Sequence, residues 1–222
     1  MKNLFLDSLR SVRVAGRQLA GTEPLVRVQK RVPLEYHGNA GYGGWAIPKG
    51  AVNQSSVIVD VGLGEDISFS ESLIRSYGCT VHGADPTPKS IAYVKQLSPP
   101  NFILYEQGLA GVSGHATFYL PNEASHVSGS IAQAGHVGHK SITVELISLS
   151  DLFTKIGTNE VAVLKIDIEG SEYDVIGEDN FAQQVANVKV ICIEFHHRWK
   201  EFGPQATVNA INKLKSSGFQ CV

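Results

Sequence analysis

Two groups of residues in this chain have types and spacings suited to chemistry. The first is Asp60-Val61-Gly62-Leu63-Gly64-Glu65-Asp66, which follows the β-branched run Val57-Ile58-Val59; Asp85 ends a second short apolar run 25 residues after Asp60. A parallel α/β sheet presents a nucleoside pocket in this way, with a glycine turn touching the ligand and a later acidic residue holding its ribose hydroxyls. The second group is Asp167-Ile168-Glu169-Gly170-Ser171-Glu172 after the apolar run Val161 to Ile166, together with Glu194-Phe195-His196-His197-Arg198 after Val188 to Ile193. Carboxylates and imidazoles at strand ends can act as acid, base or metal ligands.

The type of nucleoside follows from what the first turn lacks. A dinucleotide fingerprint has a third glycine three positions after the second, which lets the helix N-terminus approach a pyrophosphate. Here Ile67 stands at that place, and Glu65 and Asp66 precede it. Two carboxylates repel a pyrophosphate and suit a ligand carrying a sulfonium and an ammonium. The expected cofactor is therefore S-adenosylmethionine, with Asp60 and the glycine turn near its methionine part and Asp85 on its ribose. An NAD-dependent oxidoreductase is the weaker reading, and a non-catalytic nucleoside- or glycan-binding module is a further one.

At the second group, Asp167 and Glu169 are expected to face the same crevice as Asp60 and Asp85. Glu172 reads equally well as an acid favoured at a helix N-terminus. Strand alternation predicts Glu194 and His196 on one face, Phe195 and His197 on the other. His196 is the leading base, with Asp167, Glu169 and Glu194 orienting it or gathering a divalent cation. The choice between a metal and metal-free base catalysis stays open.

The elements that must position these residues read as alternating strands and helices. Strands are expected at 56–61, 79–84, 102–106, 161–167 and 188–196, with further extended pieces at 116–120 and 141–146. Helices are expected at 67–77, 88–97, 148–156, 172–185 and 204–217, and one more strand is expected to begin at 219–222. Residues 21–50, with Pro24, Pro33, Pro48 and the cluster Gly38 to Trp45, read as loops. The cluster at Gly41 to Trp45 and the polar stretch Pro121 to Lys140 are expected to cover the active face as mobile segments. Leu4, Phe5, Leu9 and Val12 recur at helical spacing beside Arg10, Arg13 and Arg17. They predict an amphipathic helix that packs on the domain or on another subunit, with peripheral contact to an anionic membrane as the lesser alternative.

With 222 residues the chain suits one well-cored domain, divided as an N-terminal helix and Gly-rich lead-in over 1–50 and a catalytic domain over 51–222. A net charge of -2 without a long basic run offers no footprint for nucleic acid. The partner is expected to be a polar small molecule or glycan. Three cysteines, one inside an apolar run, argue against a disulfide scaffold and fit a reducing cytoplasm. No run approaches the ~20 apolar residues that span a bilayer.

The chain also resembles the FkbM family of S-adenosylmethionine-dependent methyltransferases. The matching pieces are Tyr42-Gly43-Gly44-Trp45, Val61 to Phe69, Ala84-Asp85-Pro86-Thr87-Pro88, His126-Val127-Ser128, Leu164 to Glu172 and Glu194 to Arg198. The resemblance implies a Rossmann-like class I methyltransferase, with a mostly parallel seven-stranded sheet and helices on both faces, that methylates a hydroxyl of a sugar, glycan or natural product. It places Tyr42, Gly43, Trp45, Asp60, Gly62, Gly64, Asp66, Asp85, Pro86, Thr87, Gly108, Leu109 and Asp167 around the cofactor, and His126, Ser128, His197 and Arg198 around the acceptor. One departure is Asp66, where the common family turn has glycine. A chain ending at Val222 is also about one β-hairpin short of a full sheet, so the last strand is expected to be missing, truncated or supplied by another chain.

Overall fold

The computed structural model describes residues 13–121, 137–199 and 201–222. It opens with helical residues 13–19 (α1) and an antiparallel hairpin of β1 (Leu34–His37) and β2 (Trp45–Pro48). Then come β3 (Val57–Val61), α2 (Ser68–Tyr77), β4 (Thr80–Ala84), α3 (Pro88–Leu97) and β5 (Phe102–Tyr105). Short β6 (Gly108–Leu109) and the long β7 (Gly114–Pro121) and β8 (Val137–Ile147) follow, then α4 (Leu149–Ile156) and β9 (Val161–Ile166). The chain closes with α5 (Glu172–Gly177), α6 (Phe181–Gln184), β10 (Val188–Ile193) and α7 (Gly203–Ser216).

Five of these strands form a parallel sheet in the order β10-β9-β3-β4-β5, with helices on both sides. Its apolar residues divide by strand alternation. Ile58, Val81 and Val163 pack with Phe69, Leu73 and Ile74 of α2 and with Ile47 of the hairpin. Val59, Val61, Leu164 and Ile166 pack on the other face with Leu152, Ile176 and Phe181. Among the described residues this sheet holds five strands rather than seven, and β6, β8 and β7 form a separate three-stranded sheet.

Helix boundaries follow from local chemistry. Ser148 caps α4 by accepting a hydrogen bond from Asp151 N, and left-handed Gly157 ends it. The helix expected at 172–185 is two short helices instead, because Glu178 leaves the helical region at φ -54°, ψ 136°. Proline and glycine spacing misread residues 21–50, which contain β1 and β2; Ile47 is fully buried there. Residues 219–222 form no strand, although the Cys221 carbonyl accepts hydrogen bonds from the backbone N–H groups of Gln29 and Lys30. The apolar spacing at Leu4, Phe5, Leu9 and Val12 lies outside the described residues, as do His126 and Ser128.

Candidate active site

Strand order reverses beside β3: β4 lies on one side of it and β9 on the other. Ligands of open α/β sheets bind outside the carboxyl ends of the strands at such a point. The turn after β3 and the end of β9 touch there. Gly62 has φ +81°, and a Cβ on it would lie 1.6 Å from the Asp167 carbonyl oxygen, so only glycine fits.

Lys165 fastens this junction. Its Nζ donates to the Gly62 carbonyl at 2.5 Å and pairs with Asp60 Oδ1 at 3.2 Å, while Ser70 Oγ donates to Asp60 Oδ2 at 2.6 Å. Burial, the largest influence, pulls the Lys165 pKa down, but the charges of Asp60 and Asp167 outweigh it and hold the ammonium above its ordinary value. Asp60 is not among the residues that line the cavity described below. It sits inside β3, and alternation turns its side chain under α2 with Ile58 rather than toward the strand-end crevice. Lys165 was missed in the sequence, although a lysine inside an otherwise apolar strand signals a buried partner.

Asp85 is buried and accepts four hydrogen bonds from its own chain. Oδ2 receives Leu63 N at 2.9 Å and Gly64 N at 3.2 Å; Oδ1 receives Thr87 N at 2.8 Å and Thr87 Oγ1 at 2.6 Å. A carboxylate has about four lone-pair sites, so this one already shapes the glycine turn before any ligand arrives. Asp66 is engaged as well, accepting from Ser68 N at the start of α2 and from Asn39 Nδ2. The Asn39 backbone N–H donates to Ser68 Oγ, and Tyr36 Oη donates to the Asn39 carbonyl. These bonds tie Asn39, in the loop between β1 and β2, to Asp66 and to the start of α2.

The second chemical group gathers at the ends of β9 and β10. His196 Nε2 lies 3.2 Å from Glu169 Oε2 and 3.8 Å from Asp167 Oδ1. Its Nδ1 lies 3.0 Å from Glu172 Oε1, which also accepts the His196 backbone N–H at 2.9 Å. Glu172 is fully buried, and its other oxygen accepts from Gly170 N. It therefore aims the imidazole, a role beyond that of a helix-terminal acid. Desolvation, the largest influence on His196, would lower its pKa, but the hydrogen bond to Glu172 and the charges of Glu172, Glu169 and Asp167 together raise it to about 9. Burial raises Asp167 to about 6, opposed by Lys165 and helped by Glu194. Because β10 ends at Ile193, alternation does not govern the residues beyond it: Glu194, Phe195, His196 and His197 all line one cavity.

That cavity, of about 1020 Å³, connects both groups. Tyr42, Gly43 and Trp45 line it from the lead-in, Gly62, Gly64 and Asp66 from the first turn, and Asp85, Pro86 and Thr87 from the end of β4. Gly108 and Leu109 of β6 line it too, as do Asp167 and Glu169. Arg198 is not on its wall. It forms a bidentate pair with Glu23, which also faces His197 Nε2 at 3.3 Å.

No curated protein and no solved structure matches the chain. No helix among the described residues is long and apolar enough to cross a membrane. The family model of the methyltransferase FkbM domain matches residues 55–221, a span that holds the glycine turn, Asp85, Lys165 and the carboxylate–imidazole cluster, and the chain belongs to this methyltransferase family.

Proposed function

We propose that the chain is an S-adenosylmethionine-dependent O-methyltransferase acting on a hydroxyl of a sugar, glycan or natural product. The observation that carries this reading is one cavity running from the Asp85-braced glycine turn to the carboxylate and imidazole groups beyond β9 and β10. The turn suits this cofactor: Gly62 is forced to be glycine, while acidic Glu65 and Asp66 stand where a pyrophosphate would need open backbone donors. Bound S-adenosylmethionine supplies an activated methyl group. The chain supplies position, and holding donor and acceptor in line provides much of the acceleration in such reactions.

In this reading Asp85 exchanges one of its internal hydrogen bonds for a ribose hydroxyl, and Gly108 and Leu109 flank the base. The acceptor lies toward Glu194 and His197. In the site as it stands, His196 keeps its proton at neutral pH because its pKa is raised to about 9. The group that receives the acceptor's proton is then a carboxylate at this end of the cavity rather than the imidazole. Residues 51–222 form the catalytic domain, and the lead-in adds Tyr42, Gly43 and Trp45 to the cavity wall. Calorimetric titration with S-adenosylhomocysteine and with NAD tests the cofactor: binding of the first alone supports the proposal, and binding of NAD alone overturns it. Labelled-methyl uptake on saccharide and natural-product panels tests the acceptor class.

A further inference from the structure

We propose that Asp167, Glu169 and His196 form a divalent-cation site at the acceptor end of the cavity. Each offers one ligand atom, and the three atoms lie within 4.8 Å of one another. Ligands bound at 2.0–2.4 Å stand at most about 4.8 Å apart across an ion. The Nε2 separations of 3.2 and 3.8 Å, to Glu169 and Asp167, fit neighbouring positions around one ion. The chain brings the two carboxylates together by turning back at Glu169 and Gly170, with φ +52° and +101°.

The imidazole is prepared for coordination from behind. Metal-binding histidines commonly give their other ring nitrogen to a carboxylate, which fixes the tautomer and the ring direction. Glu172 does this here from a fully buried position, and the same oxygen also accepts the His196 backbone N–H, which fixes the carboxylate beside the ring. Two carboxylate oxygens and one imidazole nitrogen suit a first-row transition ion, of which Mn²⁺ best tolerates carboxylate ligands. Three protein ligands leave positions for water or for an acceptor oxygen, on the side where Asp167, Glu169 and His196 line the cavity. A bound ion would lower the pKa of that hydroxyl, leaving Glu194, on the same wall, to receive its proton.

The function of the ion rests on the methyltransferase reading, but its binding does not. The test is calorimetric titration of chelator-stripped full-length protein with Mn²⁺, alongside paramagnetic resonance of the bound ion and a separate S-adenosylhomocysteine titration. One Mn²⁺ per chain is expected, with affinity reduced at least tenfold in both Glu169→Gln and His196→Ala while S-adenosylhomocysteine affinity stays within about twofold. No Mn²⁺ binding by protein that still binds S-adenosylhomocysteine would overturn the cation site, and so would undiminished Mn²⁺ affinity in both variants. Mn²⁺ binding without S-adenosylhomocysteine binding would leave the site standing and remove the methyltransferase reading.

Discussion

The two ends of the cavity are built on opposite principles. At the ends of β3 and β4, charged groups are buried and matched within the chain: Asp60 with Lys165 and Ser70, Asp85 with the turn it braces. At the ends of β9 and β10, the side chains of Asp167 and Glu169 are 30 % and 23 % exposed to the cavity, against 3 % for Asp60. The first end is a finished scaffold that shapes backbone donors. The second is a partly exposed cluster whose carboxylates surround one imidazole, and there burial, with help from the charges of Glu194 and Glu169, raises the pKa of Asp167. Only Glu172, behind that imidazole, is fully buried. The fold thus uses the charges at the first end to hold geometry and leaves two carboxylates of the second facing the cavity.

The largest expected effect comes from breaking the scaffold. Lys165→Met strands the Asp60 carboxylate, and loss of one partner of a buried ion pair costs about 3–5 kcal/mol; urea unfolding should show a loss of that size. Replacing both partners, Lys165→Met with Asp60→Leu, should recover most of it, because no uncompensated charge remains. A single variant as stable as the parent would show that this junction is not held by charge.

Asp85→Ala should come next. It removes the acceptor for Leu63 N and Gly64 N and the proposed ribose contact, and hydrogen bonds to charged groups are worth about 1.5–3 kcal/mol. Affinity for S-adenosylhomocysteine should fall at least tenfold. Glu172→Gln sharpens the contrast from the other side: turnover should fall about tenfold through loss of imidazole alignment, while S-adenosylhomocysteine affinity stays within about twofold. Equal losses in turnover and affinity would mean that the two ends are not separable.

The smallest effect concerns the lead-in. A hydrogen bond from Arg198 holds the Glu23 carboxyl below its ordinary value, against the opposing effect of burial and with help from His197. A depressed carboxyl pKa stabilises the docked lead-in above the ordinary value of 4.5, and that contribution is lost as pH falls through the lower folded value. Hydrogen exchange over residues 13–24 should therefore quicken below about pH 4.5, and Glu23→Gln should remove this pH dependence.

Much of the fold was legible because its strands are apolar and its helices have strong ends. The strands at Val57–Val61 and Val161–Ile166 and the helix at Pro88–Leu97 lie close to where the sequence places them. The hairpin of the lead-in was not legible, since four-residue strands between prolines and glycines carry almost no periodic signal; their pairing is a tertiary fact. The site was legible as a set of residue types. Which carboxylate faces inward was not. Asp60 and Asp167 both follow β-branched or apolar runs, yet one lies within its strand and one just beyond, and that single step separates a buried brace from a cavity wall. Lys165 was given no role and Glu172 only an undecided one, because their work is done on backbone and on other side chains, partners that only the folded chain brings near.

The central claim is that the β3–β4 end holds S-adenosylmethionine while the β9–β10 end handles the acceptor. Its most direct test is one S-adenosylhomocysteine titration performed across the parent, Asp85→Ala and Glu169→Gln. The account predicts binding by the parent, at least tenfold weaker binding by Asp85→Ala, and near-parental affinity for Glu169→Gln. A parent that does not bind, or a Glu169→Gln variant weakened as much as Asp85→Ala, would contradict it.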